Sequence, residues 1–261
     1  MILFRVGGLT IHAYGVAMTL AFIGTLIYFY HYGEKVGYTR YEAVEIGALS
    51  YFFSLFMSHI VNVLLNFKSY RLHWHRILYL FSGRSWHGDL IGFMLLVLIY
   101  SHIKKYPPGQ GMDLVFTGSM LALAIGRIGC TLSGCCYGLS TDLPWGITYP
   151  PGHPSTGPIH PVQVYELILD LALFVFLVRR FDRRRFAGEN TLLMFALYSA
   201  IRFTVEFFRF NPPSQIHGPL TTAQWASIGI ISVTVPALFI LRKKLPPPGT
   251  NNPEASLIKN D

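Results

Sequence analysis

Apolar residues fill seven stretches of this chain, and the polar residues that interrupt them are few. Residues 13–30, 46–67 and 220–241 contain no Asp, Glu, Lys or Arg. Four more stretches are apolar but interrupted: 86–103 by Asp89, 114–136 by Arg127, 162–178 by Glu166 and Asp170, and 191–208 by Arg202 and Glu206. A helix needs about 20 apolar residues to cross a bilayer. The pattern therefore predicts an all-α, polytopic integral membrane protein with seven transmembrane helices. Residues 1–245 form one membrane domain, and 246–261, which open on three consecutive prolines, read as a disordered tail. The N-terminus lacks the basic region, short apolar core and small-residue cleavage site of a removable signal, so the first stretch reads as a retained span.

Composition agrees with that pattern. The chain is 52% hydrophobic and 13% charged, where a soluble domain carries about 25% charged residues. Its 15% aromatic content excludes a disordered chain. The net charge of +8 would point to nucleic acid in a soluble protein, but the positions of the basic residues remove that reading. Thirteen of the 21 fall near residues 31–43, 104–113 and 179–189 or from Arg242 onward, and five fall in the N-terminal segment (Arg5) or in 68–84. Basic loops stay cytoplasmic, so the N-terminus is expected outside and the C-terminus in the cytoplasm. Residues 68–84, which mix Tyr70, Trp74 and Tyr79 with Arg71 and Arg76, read as a segment at the outer interface. The three basic residues left over, Arg127, Arg202 and Arg209, lie in or beside spans.

An ionisable side chain at the centre of a membrane helix costs about 2.5–3.5 kcal/mol on insertion scales, so these positions are candidates for chemistry. Tyr198, Arg202, Glu206 and Arg209 follow helical spacing and share an arc of roughly 80°. The bland reading is a self-satisfied Arg202–Glu206 pair. The sharper one is a cation-rich face that binds an anion. Glu166 opens an apolar helix and requires a cationic or hydrogen-bonding partner; Arg127, Arg202 and Arg209 are the candidates. Arg127 sits in Gly126-Arg127-Ile128-Gly129-Cys130-Thr131-Leu132-Ser133-Gly134-Cys135-Cys136-Tyr137-Gly138, whose four glycines allow close backbone approach and free amides for an anion. His87, before Gly88-Asp89, is either a structural residue or a base near pH 7. All three cysteines lie within residues 130–136, without CxxC and without His/Cys spacing for zinc, so no metal is expected. Packing, a Cys130–Cys135 or vicinal Cys135–Cys136 disulfide, and a thiol nucleophile at Cys130 or Cys135 beside Arg127 all stay open. The residues alone describe a cationic site near the outer leaflet, suited to a phosphate-bearing lipid.

Taken in order, these motifs resemble the bacterial prolipoprotein diacylglyceryl transferases, from about Ile11 to Leu241. Ile11-His12-Ala13-Tyr14-Gly15 resembles the family's first-helix tyrosine motif. Trp86-His87-Gly88-Asp89-Leu90-Ile91-Gly92 resembles its essential-histidine segment, with Asp89 replacing a glycine. Gly126-Arg127-Ile128-Gly129 opens the signature, and Tyr137-Gly138 resembles the run after it. His160-Pro161 through Tyr165-Glu166 and the Tyr198, Arg202, Glu206, Arg209 helix complete the series. The chain departs from the family at Cys130 and Ser133, which stand for asparagines, at Cys135, which stands for the signature glutamate, and at Met57-Ser58-His59, which stands for a Gly-Gly-Arg run.

The resemblance implies transfer of the diacylglyceryl group of phosphatidylglycerol to the lipobox cysteine of a preprolipoprotein at the bacterial inner membrane. A thioether forms and glycerol phosphate leaves, without cofactor, metal or nucleic acid. It implies His87, Arg127, Arg202 and Glu206 as catalytic residues. Tyr14, Glu166, Tyr198, Arg209, Gly129 and Gly138 are implied as substrate-binding. A divergent relative with another donor or acceptor, and a non-catalytic anionic-lipid-binding protein or transporter, are the alternatives.

Overall fold

The computed structural model describes residues 2–7, 9–72 and 85–245. Most of the expected interfacial segment and all of the expected tail lie outside these residues. The elements run β1 (Ile2–Val6), β2 (Leu9–His12), α1 (Ala13–Tyr32), α2 (Arg40–Leu65), α3 (Phe67–Leu72), α4 (Trp86–Lys104), α5 (Pro108–Ser133), α6 (Val162–Arg179), α7 (Glu189–Val205), β3 (Ile216–His217), β4 (Leu220–Thr221) and α8 (Thr222–Lys244). Each of the seven predicted stretches is helical. Five segments are long and apolar enough to cross a membrane: Ala13–Val36, Arg40–Leu65, Pro108–Ser133, Glu189–Phe208 and Thr222–Lys244. The protein is a mainly helical, multi-pass membrane protein. Large apolar side chains face outward, as a lipid solvent allows; Leu64 is 67% exposed and Val233 69%.

Two antiparallel ribbons, β1–β2 and β3–β4, depart from the all-α expectation. Gly7 (φ +58°) and Gly218 (φ +67°) turn the chain back between the paired strands, a conformation that glycine adopts without steric penalty. Helix ends also moved from their expected places, for local reasons. Helix α2 starts at Arg40 because Thr39 accepts the Glu42 amide while Glu42 reaches back to the Thr39 amide, a reciprocal capping box. Proline suits the first turn of a helix, and α5 starts at Pro108. Helix α5 ends at Ser133, not beyond, because Gly134 takes φ +69°.

The chain divides into two compact units, Met1–Thr25 with Phe116–Asp261, and Leu26–Val115. In the second unit α4 lies directly against α2. A Cβ on Gly88 would meet Ser58 Cα at 2.5 Å, and one on Gly92 would meet Ser54 Cα at 2.6 Å. Two glycines four apart on one helix face thus allow backbone contact. Ser58 secures the crossing: its hydroxyl donates to the Ser85 carbonyl (2.8 Å) and accepts from the Ser85 amide (3.0 Å). In the first unit α6, α7 and α8 pack together, and the long connection between α5 and α6 folds over one end of them.

Candidate functional site

The site forms where three pieces of the first unit converge: α5 near its C-terminal end, α6 at its start, and the end of α7. Glu166 lies one turn into α6 and is 2% exposed. Burying a carboxylate is costly unless cations and hydrogen bonds compensate, and here three guanidinium groups do so. Arg127 Nη1 lies 3.1 Å from Glu166 Oε2, and Arg202 Nη1 donates to Oε1 at 2.8 Å. Arg209 Nη1 donates to both oxygens, at 3.2 and 3.3 Å. All three candidate partners of Glu166 therefore meet it.

Two further carboxylates adjoin. Arg202 Nη2 lies 2.8 Å from Glu206 Oε2, one helical turn away, so the bland i, i+4 pair also exists. The Thr221 hydroxyl donates to Glu206 Oε1 at 3.0 Å. Asp170, four residues after Glu166 on the same face of α6, is fully buried, and its Oδ2 is 4.0 Å from Arg127 Nε. The cluster thus sets three guanidiniums against three carboxyl groups. This corrects the expected cation excess on the Tyr198–Arg209 stripe: Asp170 and Glu166 restore the balance from another helix. The stripe itself is not one helix, because α7 ends at Val205, Glu206–Phe208 form a 3-10 turn, and Arg209 is extended.

Arg209 reaches Glu166 through a backbone clamp. The Leu139 amide donates to the Phe208 carbonyl (2.9 Å), and the Phe210 amide donates to the Tyr137 carbonyl (3.1 Å). Gly138 is required there: a Cβ would stand 2.4 Å from the His160 carbonyl oxygen and 2.8 Å from that of Phe208. Gly129 is likewise a packing position, since a Cβ would meet Ala17 Cβ at 2.9 Å and Tyr14 Cδ2 at 3.2 Å. Tyr14 itself is 42% exposed on the first turn of α1. Tyr198 lies on α7 one turn before Arg202. His87 is exposed at the start of α4, in the other unit.

The cluster is not saturated. Arg127 Nε and both Asp170 oxygens are buried with no hydrogen bond among the described residues. An open apolar groove of about 840 Å³ runs along α6. Ile128, Leu167, Leu171 and Val175 line it, and it continues along α6 to Phe176 and Arg179. Its near end adjoins Glu166 and Arg127 in sequence.

The three cysteines are free thiols. Their Sγ atoms all lie within 4.8 Å of one another. Gln163 Nε2, from the first turn of α6, donates to the Cys135 carbonyl at 2.8 Å and to Tyr149 Oη at 3.3 Å. Burial pushes the Tyr149 phenol above its ordinary range.

Sequence reasoning passed over Asp170, Gln163 and Thr221. Asp170 was visible as a second carboxylate at i+4 from Glu166. Thr221 was visible as the start of a Thr-x-x-Gln capping box, although its contact with Glu206 was not.

Comparison with known proteins agrees with these motifs. Residues 1–240 match the family model described as prolipoprotein diacylglyceryl transferase. The chain is 31% identical to phosphatidylglycerol–prolipoprotein diacylglyceryl transferase 2 of Clostridium perfringens over 234 residues, 88% of this chain and 91% of the relative. It is 31% identical to the phosphatidylglycerol–prolipoprotein diacylglyceryl transferase of Clostridioides difficile over 243 residues, 92% of this chain and 95% of the relative. It is 29% identical to that of Clostridium tetani over 236 residues, 90% of this chain and 94% of the relative.

Proposed function

The chain belongs to the prolipoprotein diacylglyceryl transferase family, and from that premise we propose that it transfers the diacylglyceryl group of phosphatidylglycerol to the lipobox cysteine of a preprolipoprotein, with the Glu166 cluster as its headgroup site. The observation that carries this reading is the convergence of Arg127, Arg202 and Arg209 on one buried carboxylate beside an apolar groove. A phospholipid has that division of character. Its phosphate takes arginine N–H groups, and an acyl chain lies along Leu171, Val175 and Phe176 of α6.

The chemistry follows from charge. The substrate thiol loses its proton, and its sulfur attacks the glyceryl carbon that bears the phosphate ester oxygen. The carbon–oxygen bond breaks, and glycerol phosphate leaves with the electron pair. The arginines hold the phosphate in a forked geometry and stabilise the charge that grows on the leaving group. Each guanidinium has five N–H donors, so contact with Glu166 leaves others for the lipid. Glu166, Glu206 and Asp170 keep the guanidiniums apart and aimed. Tyr14 and Tyr198 contact the substrates, and a base takes the thiol proton, for which His87 is the candidate the family motif offers. In membrane terms α4 and α6 join the five apolar segments to give seven spans, N-terminus outside and C-terminus in the cytoplasm of a bacterial inner membrane. The basic residues of 179–185 and 242–244 support that orientation.

The test is direct. Purified protein in phosphatidylglycerol-containing micelles is incubated with a lipobox peptide. The expected product is a peptide heavier by one diacylglyceryl group, on a thioether that survives hydroxylamine. No product, under conditions in which the Clostridium perfringens relative makes it, refutes the proposal.

A further inference from the structure

The chain has three cysteines, and its backbone is built to bring them together. The Cys135 amide donates to the Cys130 carbonyl at 3.2 Å, and the Gly134 amide donates to the Thr131 carbonyl at 3.3 Å. These are the two closing bonds of a Schellman motif, which sets the side chains three positions before and two after the helix end against each other. Both positions are cysteine here. Cys136 then adopts φ +61°, which is uncommon for a residue with a side chain. That turn places its sulfur with the other two, and all three lie within 4.8 Å.

The loop is held from outside as well. Gln163 ties the Cys135 carbonyl, and His153 Nε2 ties the Gly134 carbonyl at 2.9 Å. The other ring nitrogen of His153 accepts from the Ser155 amide at 3.1 Å, so this histidine is fully engaged and offers no ligand. Among the described residues the group comprises the three thiols alone.

We propose that Cys130, Cys135 and Cys136 form a three-thiolate site for one soft, thiophilic cation of the Cu(I) type. Three sulfurs in a plane at ~2.3 Å from one ion stand about 4.0 Å apart, within the separation observed. Thiolates select soft ions, whereas a structural zinc site takes four protein ligands. Binding displaces three thiol protons to solvent and changes no oxidation state. Arg127, three residues before Cys130 on α5, brings positive charge near the thiolates. The site adjoins the arginine cluster that holds Glu166, and its test reads ion binding, so it stands or falls independently of the transfer reaction.

The experiment uses the reduced, full-length protein in detergent without oxygen, titrated with Cu(I) against a chromophoric chelator. X-ray absorption then counts the sulfur neighbours. One ion per chain with three sulfurs is expected. Each single Cys→Ser change weakens binding by at least the ~10–100-fold that loss of an outer-sphere partner costs. The triple Ser variant, checked for monodispersity by gel filtration, binds none. Two or fewer sulfurs, or an ion retained by the triple variant, overturns the proposal. So does preference for Zn(II) over Cu(I) in direct competition. If the triple variant does not fold, the sulfur count in the unaltered protein decides the matter alone.

Discussion

Two buried glutamates in one unit hold arginines in different ways. At the start of α7, Glu189 Oε1 accepts from Arg180 at 2.6 Å and from Arg242 at 2.7 Å, and its Oε2 accepts the Arg185 amide. Glu166 lies at the opposite end of α6, ~20 Å away along the helix axis. It holds three arginines, two of which also face the carboxyl groups of Glu206 or Asp170. Among the described residues each cluster leaves one buried donor without a hydrogen bond, Arg180 Nε beside Glu189 and Arg127 Nε beside Glu166, and the Glu166 cluster also leaves both Asp170 oxygens so. Unsatisfied buried polar groups are expensive. The nearly closed cluster has the form of a clamp between helices, and the less satisfied one leaves Arg127 Nε and the Asp170 carboxyl group unfilled. Fully buried ion pairs by themselves do not mark a site; the unfilled hydrogen bonds separate the two cases.

Substitutions sharpen this contrast. The largest effect is expected from Glu166→Gln, which leaves three guanidiniums without their shared counter-charge. Removing one partner of a buried pair costs about 3–5 kcal/mol, and both thermal stability and diacylglyceryl transfer should fall; an active, stable variant would show that the arginines need no organiser. Arg127→Gln comes next. Loss of one donor to a developing oxyanion costs about 10²–10³-fold in rate, with a much smaller change in melting temperature, so a rate within tenfold of the parent would remove Arg127 from the phosphate site. Glu189→Gln should also destabilise by about 3–5 kcal/mol, yet leave the specific rate of the folded fraction unchanged. A selective loss of rate there would erase the distinction between clamp and site. The smallest effect is assigned to Thr221→Val, which removes an N-cap and the donor to Glu206; ~1–2 kcal/mol of stability and a several-fold drop in rate are expected from denaturation and initial-rate measurements.

Much of this was legible in the sequence because the membrane restricts what a helix may carry. Seven apolar stretches became helices, and a glutamate inside one of them announced that cations must lie nearby. The three arginines that answer it were identifiable because so few basic residues fall within spans. The shape of the contact was not legible. Arg209 meets Glu166 only because Gly138 lets residues 137–139 run beside 208–210, a pairing across some seventy residues of sequence that no helical period encodes. The thiols were legible as three cysteines within residues 130–136, with packing, a disulfide and a nucleophile all open, but their convergence was not. Their spacing fits no familiar ligand pattern, and a helix cap, not a motif, brings Cys130 beside Cys135. The hydroxyl of Ser58 fixing the entry to α4 belongs to the same class: a contact between distant residues, visible only once the two helices touch.

Thr221 and Arg242 stand at the two ends of α8, and each completes one of the glutamate clusters. That arrangement sets an order of assembly during synthesis. Helices α6 and α7 leave the ribosome with Glu206 lacking its hydroxyl partner and Glu189 lacking one of its two arginines. At ordinary translation speeds the residues from Glu206 to Arg242 take ~2–7 s to appear. Throughout that interval Glu189 has Arg180 but not Arg242, whereas Glu206 already pairs with Arg202 and gains its hydroxyl donor once Thr221 appears. The last helix therefore acts as a bolt that closes one end after the other, first Glu206 through Thr221 and then Glu189 through Arg242.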